Sequence, residues 1–341
     1  MVKYQYIEIK RSYYREGGQM SKYNYSKELK KPISLGNINF ENAIIRALIR
    51  TGCRLSDLQI KLQKSNKDIS EKTVHIPVAD NVKIPCTVIQ PANIKTSLPA
   101  IIYFHGGAFV LPLASLMTKN AIYYAEKLQC RVFLPRYRLA PEHPFPTPLY
   151  DCYNAFNHLT ENADTYFIDK DNILIYGDSA GGCLAASVCH MLRDNKKHMP
   201  NAQILIYPVT DNSVTSKSMD EYKDAAWTKT ATVHMWNLYL KNGHTDMLGY
   251  AAPLHNSDFC NLPPAYVEAA QMDTLRDEAL AYADKLSDAK TPVEIYLAEG
   301  AYHGFDKDHT SPLVKKVLKH RIKVMRNYLA VRKISDAFSH C

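Results

Sequence analysis

The sequence predicts an α/β fold: a mostly parallel sheet covered by helices on both faces. From about residue 73 to about residue 300, short apolar runs alternate with helical patterns, and no internal repeat interrupts them. Parallel strands need a crossover between them, usually a helix, so this alternation favours a parallel sheet. With 341 residues, of which 46% are hydrophobic, the chain is long enough to bury a large core.

Each strand is predicted from a short apolar run that turn residues bound. Residues 72–78 and 82–90 read as a hairpin around residues 79–81. The later runs are the expected strands of the parallel sheet: 100–104, 131–135, 173–176, 203–207, 265–270 and 293–298. Apolar residues at helical spacing predict helices after the first three of them, at 117–129, 148–159 and 180–193.

Two segments depart from this alternation. Before residue 72, four apolar residues at helical spacing predict a helix that Gly52 ends: Ile44, Ile45, Leu48 and Ile49. Between about residues 210 and 262, a helix near 230–240 interrupts the strand pattern. Insertions at the carboxyl edge of a sheet often cover a binding site. We therefore expect residues 20–71 and 210–262 to form one composite helical cap, and the core to occupy residues 72–341 around the second segment.

The net charge of +8 comes largely from residues 311–333. Apolar positions recur there at helical spacing, which predicts a C-terminal helix with one buried face and one solvated basic face. The basic residues expected on the solvated face are Lys315, Lys316, Lys319, Arg321, Lys323, Arg326, Arg332 and Lys333. Because no nucleic-acid motif accompanies them, we expect no nucleic-acid partner.

Apolar runs, cysteines and histidines indicate the cellular location of the protein and whether it binds a metal. No apolar run approaches the roughly 18 residues that span a membrane, and residues 1–15 lack the apolar core of a signal peptide. The eight cysteines contain no Cys-x-x-Cys pair, and the histidines show no zinc-ligand spacing. These observations predict a cytoplasmic protein with neither a metal nor a cofactor.

The first sign of catalysis is the segment 177–182, which reads Gly-Asp-Ser-Ala-Gly-Gly. Gly-x-Ser-x-Gly is a weak signal alone, but here it follows a predicted strand and opens a predicted helix. A serine at such a turn is strained and exposes its hydroxyl, while the flanking glycines let strand and helix approach closely. Ser179 is therefore the candidate nucleophile.

A second glycine segment, 105–109, reads His-Gly-Gly-Ala-Phe and follows the predicted strand 100–104. Its main-chain N–H groups can turn into a pocket and bind the oxyanion of a tetrahedral intermediate. We expect Gly106 and Gly107 to supply these donors together with Ala180. A plain turn remains an alternative for this segment, and a phosphate loop is disfavoured because neither Gly-x-Gly-x-x-Gly nor a Walker lysine follows.

A serine nucleophile needs a base, and the base needs an orienting carboxylate. Asp273 follows the predicted strand 265–270, and His303 follows the predicted strand 293–298. Both lie at the edge where Ser179 is expected, and the chain order Ser, Asp, His is that of α/β-hydrolases. Asp277 is a rival acid. We prefer Asp273 because it lies closer to the strand end, whereas Asp277 is better placed as a helix N-cap.

These motifs together resemble the hormone-sensitive-lipase branch of the α/β-hydrolases, which includes bacterial carboxylesterases with a His-Gly-Gly oxyanion loop. The matching segments, in the family's order, are 105–109, 137–146, 177–182, 273–278 and 303–305. The resemblance implies an α/β-hydrolase fold with a helical cap. It also implies that Ser179 is the nucleophile, that His303 is the general acid/base and that Asp273 orients it.

Two further roles are implied by the same resemblance. Gly106, Gly107 and Ala180 would form the oxyanion hole, and residues 137–146 would brace the loop beside it. Many members have a third glycine where this chain has Ala108. Since alanine adopts positive φ less readily than glycine, this difference bears on how the loop turns.

The sequence therefore predicts a serine carboxylesterase that acts on short-chain acyl esters of small molecules. An amide, formamide or lactone hydrolase with the same triad is the alternative within catalysis, and a small-ligand receptor on the same fold is a remote one. A homodimer is possible. Residues 1–19 precede Met20 with a Gly17-Gly18 joint, and we expect them to be a translated leader or a disordered arm.

Overall fold

The computed structural model of the protein describes residues 23–32, 38–62, 68–243 and 245–330, so the predicted leader at residues 1–19 lies outside the described residues. The strands are β1 (Ile69–Ala79), β2 (Val82–Pro91), β3 (Leu98–Phe104), β4 (Arg131–Pro135), β5 (Ile168–Asp178), β6 (Ala202–Ile206), β7 (Ala265–Ala270) and β8 (Val293–Ala298). The α-helices are α1 (Ala43–Leu62), α2 (Ser115–Leu128), α3 (Thr147–Glu161), α4 (Ala180–Asp194), α5 (Lys217–Glu221), α6 (Lys229–Tyr239), α7 (Leu248–Ala251), α8 (Arg276–Asp288) and α9 (Pro312–Ala330).

Within these residues, one eight-stranded sheet runs in the order β1-β2-β4-β3-β5-β6-β7-β8. The pairs β1–β2 and β2–β4 are antiparallel, and every later pair is parallel. Alternate residues of one strand enter different core layers. Ile102 and Phe104 of β3 pack with residues of α3, α4 and α8, whereas Ile101 and Tyr103 pack with residues of α2 and α9. This confirms the predicted α/β architecture with helices on both faces.

The predicted strands are confirmed, and β4, β7 and β8 begin and end where the sequence placed them. The hairpin and β5 are longer than predicted because polar residues continue the extended backbone at their ends. The core sheet therefore begins at Ile69, slightly before the predicted boundary at residue 72.

Helix α1 is longer than predicted. It begins after Asn42, whose side chain accepts the N–H groups of Ile44 and Ile45, and it continues through Gly52 to Leu62. Its apolar stripe is only partly packed: Ile44 and Leu48 are 73% and 69% accessible, whereas Ile49 packs against the core.

Polar side chains of α1 also make contacts on its inward face. The Arg50 guanidinium donates to the carbonyls of Val110 and Ala140 at 2.7 Å each, and the buried Asp57 accepts the hydroxyl of Thr118. The helix therefore packs on main-chain carbonyls beside the segment 105–109. Periodicity could not indicate this, because it identifies an apolar face without showing whether that face has a partner.

The two irregular segments contact each other. The Asn237 amide of α6 donates to the Glu41 carboxylate at 3.1 Å, and the rings of Phe40 and Trp227 lie 5.9 Å apart. Tyr239 of α6 also stacks on Phe109, with ring centroids 3.7 Å apart. Both segments therefore reach the loop at the carboxyl end of β3.

Helix α9 corrects the expectation of a fully solvated basic face. Its apolar residues are buried as predicted, but Arg321 is also completely buried and pairs with Glu268 and Asp306. Its position on the helix is that of the apolar stripe, because it lies one turn from Val317 and Leu318. The predicted basic residues Arg332 and Lys333 lie outside the described residues.

No helix in the described ranges is both long enough and apolar enough to cross a membrane.

The course of α1 through Gly52 can be tested by substitution. Gly52 is exposed in the middle of the helix, and a Cβ there would meet no atom within 4 Å. We expect Gly52→Ala to raise the free energy of unfolding by about 0.5–1 kcal/mol in urea denaturation. Gly243→Ala is the matched control: it has equal space but φ of +87°, so it should destabilise the protein. A loss of stability in Gly52→Ala would mean that the helix ends there.

Candidate active site

Ser179 lies on the tight turn between β5 and α4. Its backbone has φ of 54° and ψ of −121°, a conformation that L residues rarely adopt. A Cβ on Gly177 would collide with the Gly181 carbonyl, and a Cβ on Gly181 would collide with the Phe104 carbonyl. The predicted reason for these glycines, close approach of strand and helix, is confirmed.

The segment after β6 fixes this strained turn. The Ser179 N–H donates to the Ile206 carbonyl at 2.9 Å, and the Ser179 carbonyl accepts the N–H of Val209 at 3.1 Å. Two main-chain hydrogen bonds, one to the last residue of β6 and one from a residue just after it, thus hold the serine in a conformation that costs about 1–3 kcal/mol. The position of the Ser179 side chain is therefore set by these main-chain contacts.

His303 lies between the two other predicted residues. Its Nε2 is 2.9 Å from the Ser179 Oγ, and its Nδ1 is 2.7 Å from the Asp273 Oδ2. An ionised carboxylate can only accept, so this contact places the imidazole proton on Nδ1 and leaves Nε2 to accept the serine proton. Asp273 is buried, and its other oxygen accepts the N–H of Leu275 at 3.1 Å. The three side chains form one continuous hydrogen-bonded chain.

Asp277 has a different position and a different task. It lies in the first turn of α8 rather than at the predicted N-cap, which Leu275 occupies. Its carboxylate accepts the Nε–H of Arg276 and the N–H of Ser218, each at 2.8 Å. Asp277 therefore anchors α5 of the 210–262 segment, a contact between distant parts of the chain that local spacing could not indicate.

One of the predicted oxyanion donors already has a hydrogen-bond partner. The Gly106 N–H donates to the Asp178 Oδ1 at 3.2 Å. Gly107 has φ of 120°, and Ala108 adopts φ of 56° despite its methyl group. The loop therefore makes its left-handed turn without a third glycine, and the Val110 and Leu111 N–H groups close it on the Gly107 carbonyl.

Buried polar groups support this loop from behind. His105 donates from Nδ1 to the Gly106 carbonyl at 2.7 Å, and burial lowers the pKa of His105 to about 4, so the ring is neutral. The Tyr137 ring stacks on the His105 ring at 4.4 Å, and its hydroxyl donates to the His105 carbonyl at 2.7 Å. Together with the hydrogen bond from the Ala140 N–H to the Phe109 carbonyl, these contacts support the brace expected of residues 137–146.

Asp178, next to Ser179, was not predicted to have a role. Its side chain fills the space that a Cβ on Gly106 would need. Burial, together with the negative charge on Asp306, raises the pKa of Asp178 to about 7. Because Asp178 occupies the variable position of the serine motif, its link to the 105–109 loop appears only when β3 and β5 lie side by side.

Two aromatic rings contact the His303 imidazole. Tyr207, directly after β6, lies edge-on at 4.8 Å between ring centroids, and Trp227 of the 210–262 segment lies at 5.8 Å. Sequence analysis missed both. Tyr207 could have been noticed from its place just past a predicted strand end, but Trp227 carries no local signal because its position depends on how the segment folds back.

Comparison with known proteins agrees with this geometry. A family profile described as alpha/beta hydrolase fold matches residues 101–307, which is more than half of the chain. The chain belongs to this family, in the branch of the hormone-sensitive-lipase and carboxylesterase type that the sequence motifs resembled.

Its relatives and structural neighbours carry esterase names. The chain is 34% identical to an arylesterase of Saccharolobus solfataricus over 66% of its own length and 74% of the relative. It is 32% identical to a carboxylesterase of Mycobacterium tuberculosis over 65% and 71% of the two chains. The fold is similar to that of a bacterial heroin esterase, with a TM-score of 0.80 and 27% identity over 90% of this chain and 98% of the other.

The geometry separates the two acids in a testable way. Asp273→Asn should lower kcat by about 10⁴-fold, because the amide no longer holds the required imidazole tautomer or stabilises the imidazolium. Asp277→Asn is the matched control; it should leave kcat within about twofold and lower the free energy of unfolding by about 1 kcal/mol. Steady-state kinetics and urea denaturation measure both effects. The opposite pattern would transfer the orienting role to Asp277.

Proposed function

We propose that this protein hydrolyses carboxylic esters of small molecules, with Ser179 as nucleophile, His303 as general acid/base and Asp273 as its orienting partner. The observation that carries the proposal is the unbroken hydrogen-bond chain from the Ser179 Oγ through both imidazole nitrogens to a buried carboxylate. The esterase names of the relatives support the same reaction class.

The reaction follows from where the protons lie. His303 Nε2 takes the hydroxyl proton as the Ser179 Oγ attacks the ester carbonyl, and the imidazolium then gives that proton to the leaving alcohol. A water molecule takes the place of the alcohol, and His303 deprotonates it as it attacks the acyl-serine. Collapse of the second tetrahedral intermediate returns the proton to Ser179 and releases the acid.

We assign oxyanion binding to main-chain N–H groups near Ser179. Gly107 and Ala180 stay in the predicted set, and Ala108 takes the place of Gly106, whose N–H is held by Asp178. Ala180 is the first residue of α4, a 15-residue helix, so the partial positive charge of the helix N-terminus supports its donor. The left-handed backbone at Gly107 and Ala108 supports the turn that would bring their N–H groups inward.

An amide, a formamide or a lactone would be attacked by the same triad. We place esters first because the relatives are named arylesterase and carboxylesterase. A small-ligand receptor would not require the three side chains to be hydrogen-bonded in catalytic order. We also propose a cytoplasmic location, which the seven unpaired cysteines of the described residues support.

The decisive test of the proposal is removal of the nucleophile. Ser179→Ala should lower kcat for a p-nitrophenyl ester by about 10⁴–10⁶-fold and leave the melting temperature nearly unchanged, because only a hydroxyl is lost. His303→Ala should cost about as much, and the double variant should be little worse than either single one.

A covalent probe gives an independent readout. A fluorophosphonate should label the parent protein at Ser179 and fail to label Ser179→Ala. If the serine variant kept even a tenth of the ester hydrolysis, the proposed mechanism would be wrong.

The covered serine also predicts substrate size. Ser179 is only 9% accessible, and the 210–262 segment contacts both His303 and Phe109. We expect activity on p-nitrophenyl esters to peak at acyl lengths of about two to six carbons, since a small enclosed pocket limits the acyl group. The same panel should include a formyl-anilide and a lactone. Faster hydrolysis of emulsified long-chain triglyceride would contradict the expectation, and a clear preference for the anilide or lactone would change the substrate class.

A further inference from the structure

A cluster of buried charges lies behind the active site. Arg321 of α9 donates to both oxygens of Glu268, at 2.6 and 2.9 Å, and to the Asp306 Oδ2 at 2.7 Å. None of the three side chains is accessible to solvent. Placing ions in such a site is costly unless each is paired and hydrogen-bonded, so the cluster calls for a reason beyond packing.

The cluster holds two carboxylates for one guanidinium, and neutral donors satisfy the remaining oxygens. Asp306 accepts the Tyr207 hydroxyl at 2.7 Å and the Asn120 amide at 3.2 Å, while Glu268 accepts the Tyr266 hydroxyl at 2.9 Å. Burial alone would raise the pKa of Asp306, but its contacts with Arg321 hold that pKa below its ordinary value. Asp306 is therefore ionised, and buried donors hold both of its carboxylate oxygens in place.

Each acid of the cluster lies a few residues along the chain from a triad residue. Asp306 lies in the short helical turn directly after His303 and Gly304. Glu268 lies on β7, whose following loop carries Asp273. Arg321 therefore ties the histidine loop to the strand of the orienting acid, in addition to the hydrogen bond between the two catalytic side chains.

Tyr207 connects this cluster to the catalytic side chains. Its hydroxyl is bonded to Asp306, its N–H donates to the Glu268 carbonyl at 2.6 Å, and its ring lies edge-on against the His303 imidazole. The residues on either side of the Tyr207-Pro208 pair hold the backbone of Ser179. Tyr207 also has φ of 35°, an unusual value for a bulky residue, and such strain persists where surrounding contacts over-determine it.

We propose that Tyr207, held by the Asp306–Arg321–Glu268 cluster, is a positioning residue that sets the place of the His303 imidazole between Ser179 and Asp273. The inference rests on the proposed function, because it assigns a task relative to that triad. Tyr207 acts through His303: its hydroxyl is engaged by Asp306 and is not directed at a substrate.

The test removes a single oxygen atom. Tyr207→Phe keeps the ring against His303 but releases it from Asp306, so kcat and kcat/KM for a p-nitrophenyl ester should fall together by about tenfold or more, with KM within about twofold. Tyr282→Phe is the matched control, because that buried hydroxyl is 3.2 Å from His190 Nε2, outside the cluster and the triad. Tyr282→Phe should leave kcat within about twofold, even if its melting temperature falls as much as that of Tyr207→Phe.

A double-mutant cycle tests the route of the effect. Asp306→Asn should lower kcat at least as much as Tyr207→Phe, and the double variant should be no slower than Asp306→Asn alone, because both changes break one connection. If Asp306→Asn does not fold, Tyr207→Phe decides the question alone.

Two outcomes would overturn the inference: an unchanged kcat in Tyr207→Phe, which would show a structural role only, or independent, multiplicative losses in the cycle. Either result, obtained while Ser179→Ala is inactive, would leave the proposed function intact. Activity retained in Ser179→Ala would instead reject the proposed function itself.

Discussion

The structure depends on how closely three main-chain segments approach one another around Ser179. Gly177 and Gly181 leave room for β5 and α4 to meet with no side chain between them, and the Phe104 end of β3 lies against the same turn. This contact forces the serine into its strained conformation and places it at the carboxyl edge, beside the loops that follow β3, β7 and β8. A methyl group at either glycine would separate those segments and move the Ser179 hydroxyl away from the His303 imidazole.

Other parts of the molecule stabilise that arrangement. The parallel sheet brings the ends of its strands to one edge, and the loops at that edge carry Ser179, Asp273 and His303. Polar groups buried behind the edge then direct each loop. Asp178 and His105 hold the 105–109 loop, while Asp306 and Glu268 hold the histidine and acid loops through Arg321. Because buried polar groups are costly when unpaired, each such network favours one arrangement of its loop over the alternatives.

The two irregular segments, helix α1 with the residues before it and residues 210–262, contact the candidate site through few but specific interactions. Asp277 anchors α5 to the core, and Trp227 lies against His303. Tyr239 stacks on Phe109 of the 105–109 loop. Helix α1 approaches the same loop from the other side through Arg50. The helix shows that amphipathic spacing alone does not define a packed face: Ile44 and Leu48 of its apolar stripe are exposed, while Arg50 and Asp57 make buried or half-buried hydrogen bonds.

The strand order along the chain and the candidate residues Ser179, Asp273 and His303 could be predicted from the sequence alone. Apolar periodicity is a local property, and the chemistry of a serine nucleophile requires particular residue types at strand ends. The folded structure was needed to show that Gly106 is held by Asp178, that Asp277 anchors α5, and that Arg321 is buried between two acids. Each of these depends on a partner far away in the chain. A hydrogen-bond donor or a charge has no assigned partner until the fold brings one within about 3 Å, and no spacing along the sequence records that distance.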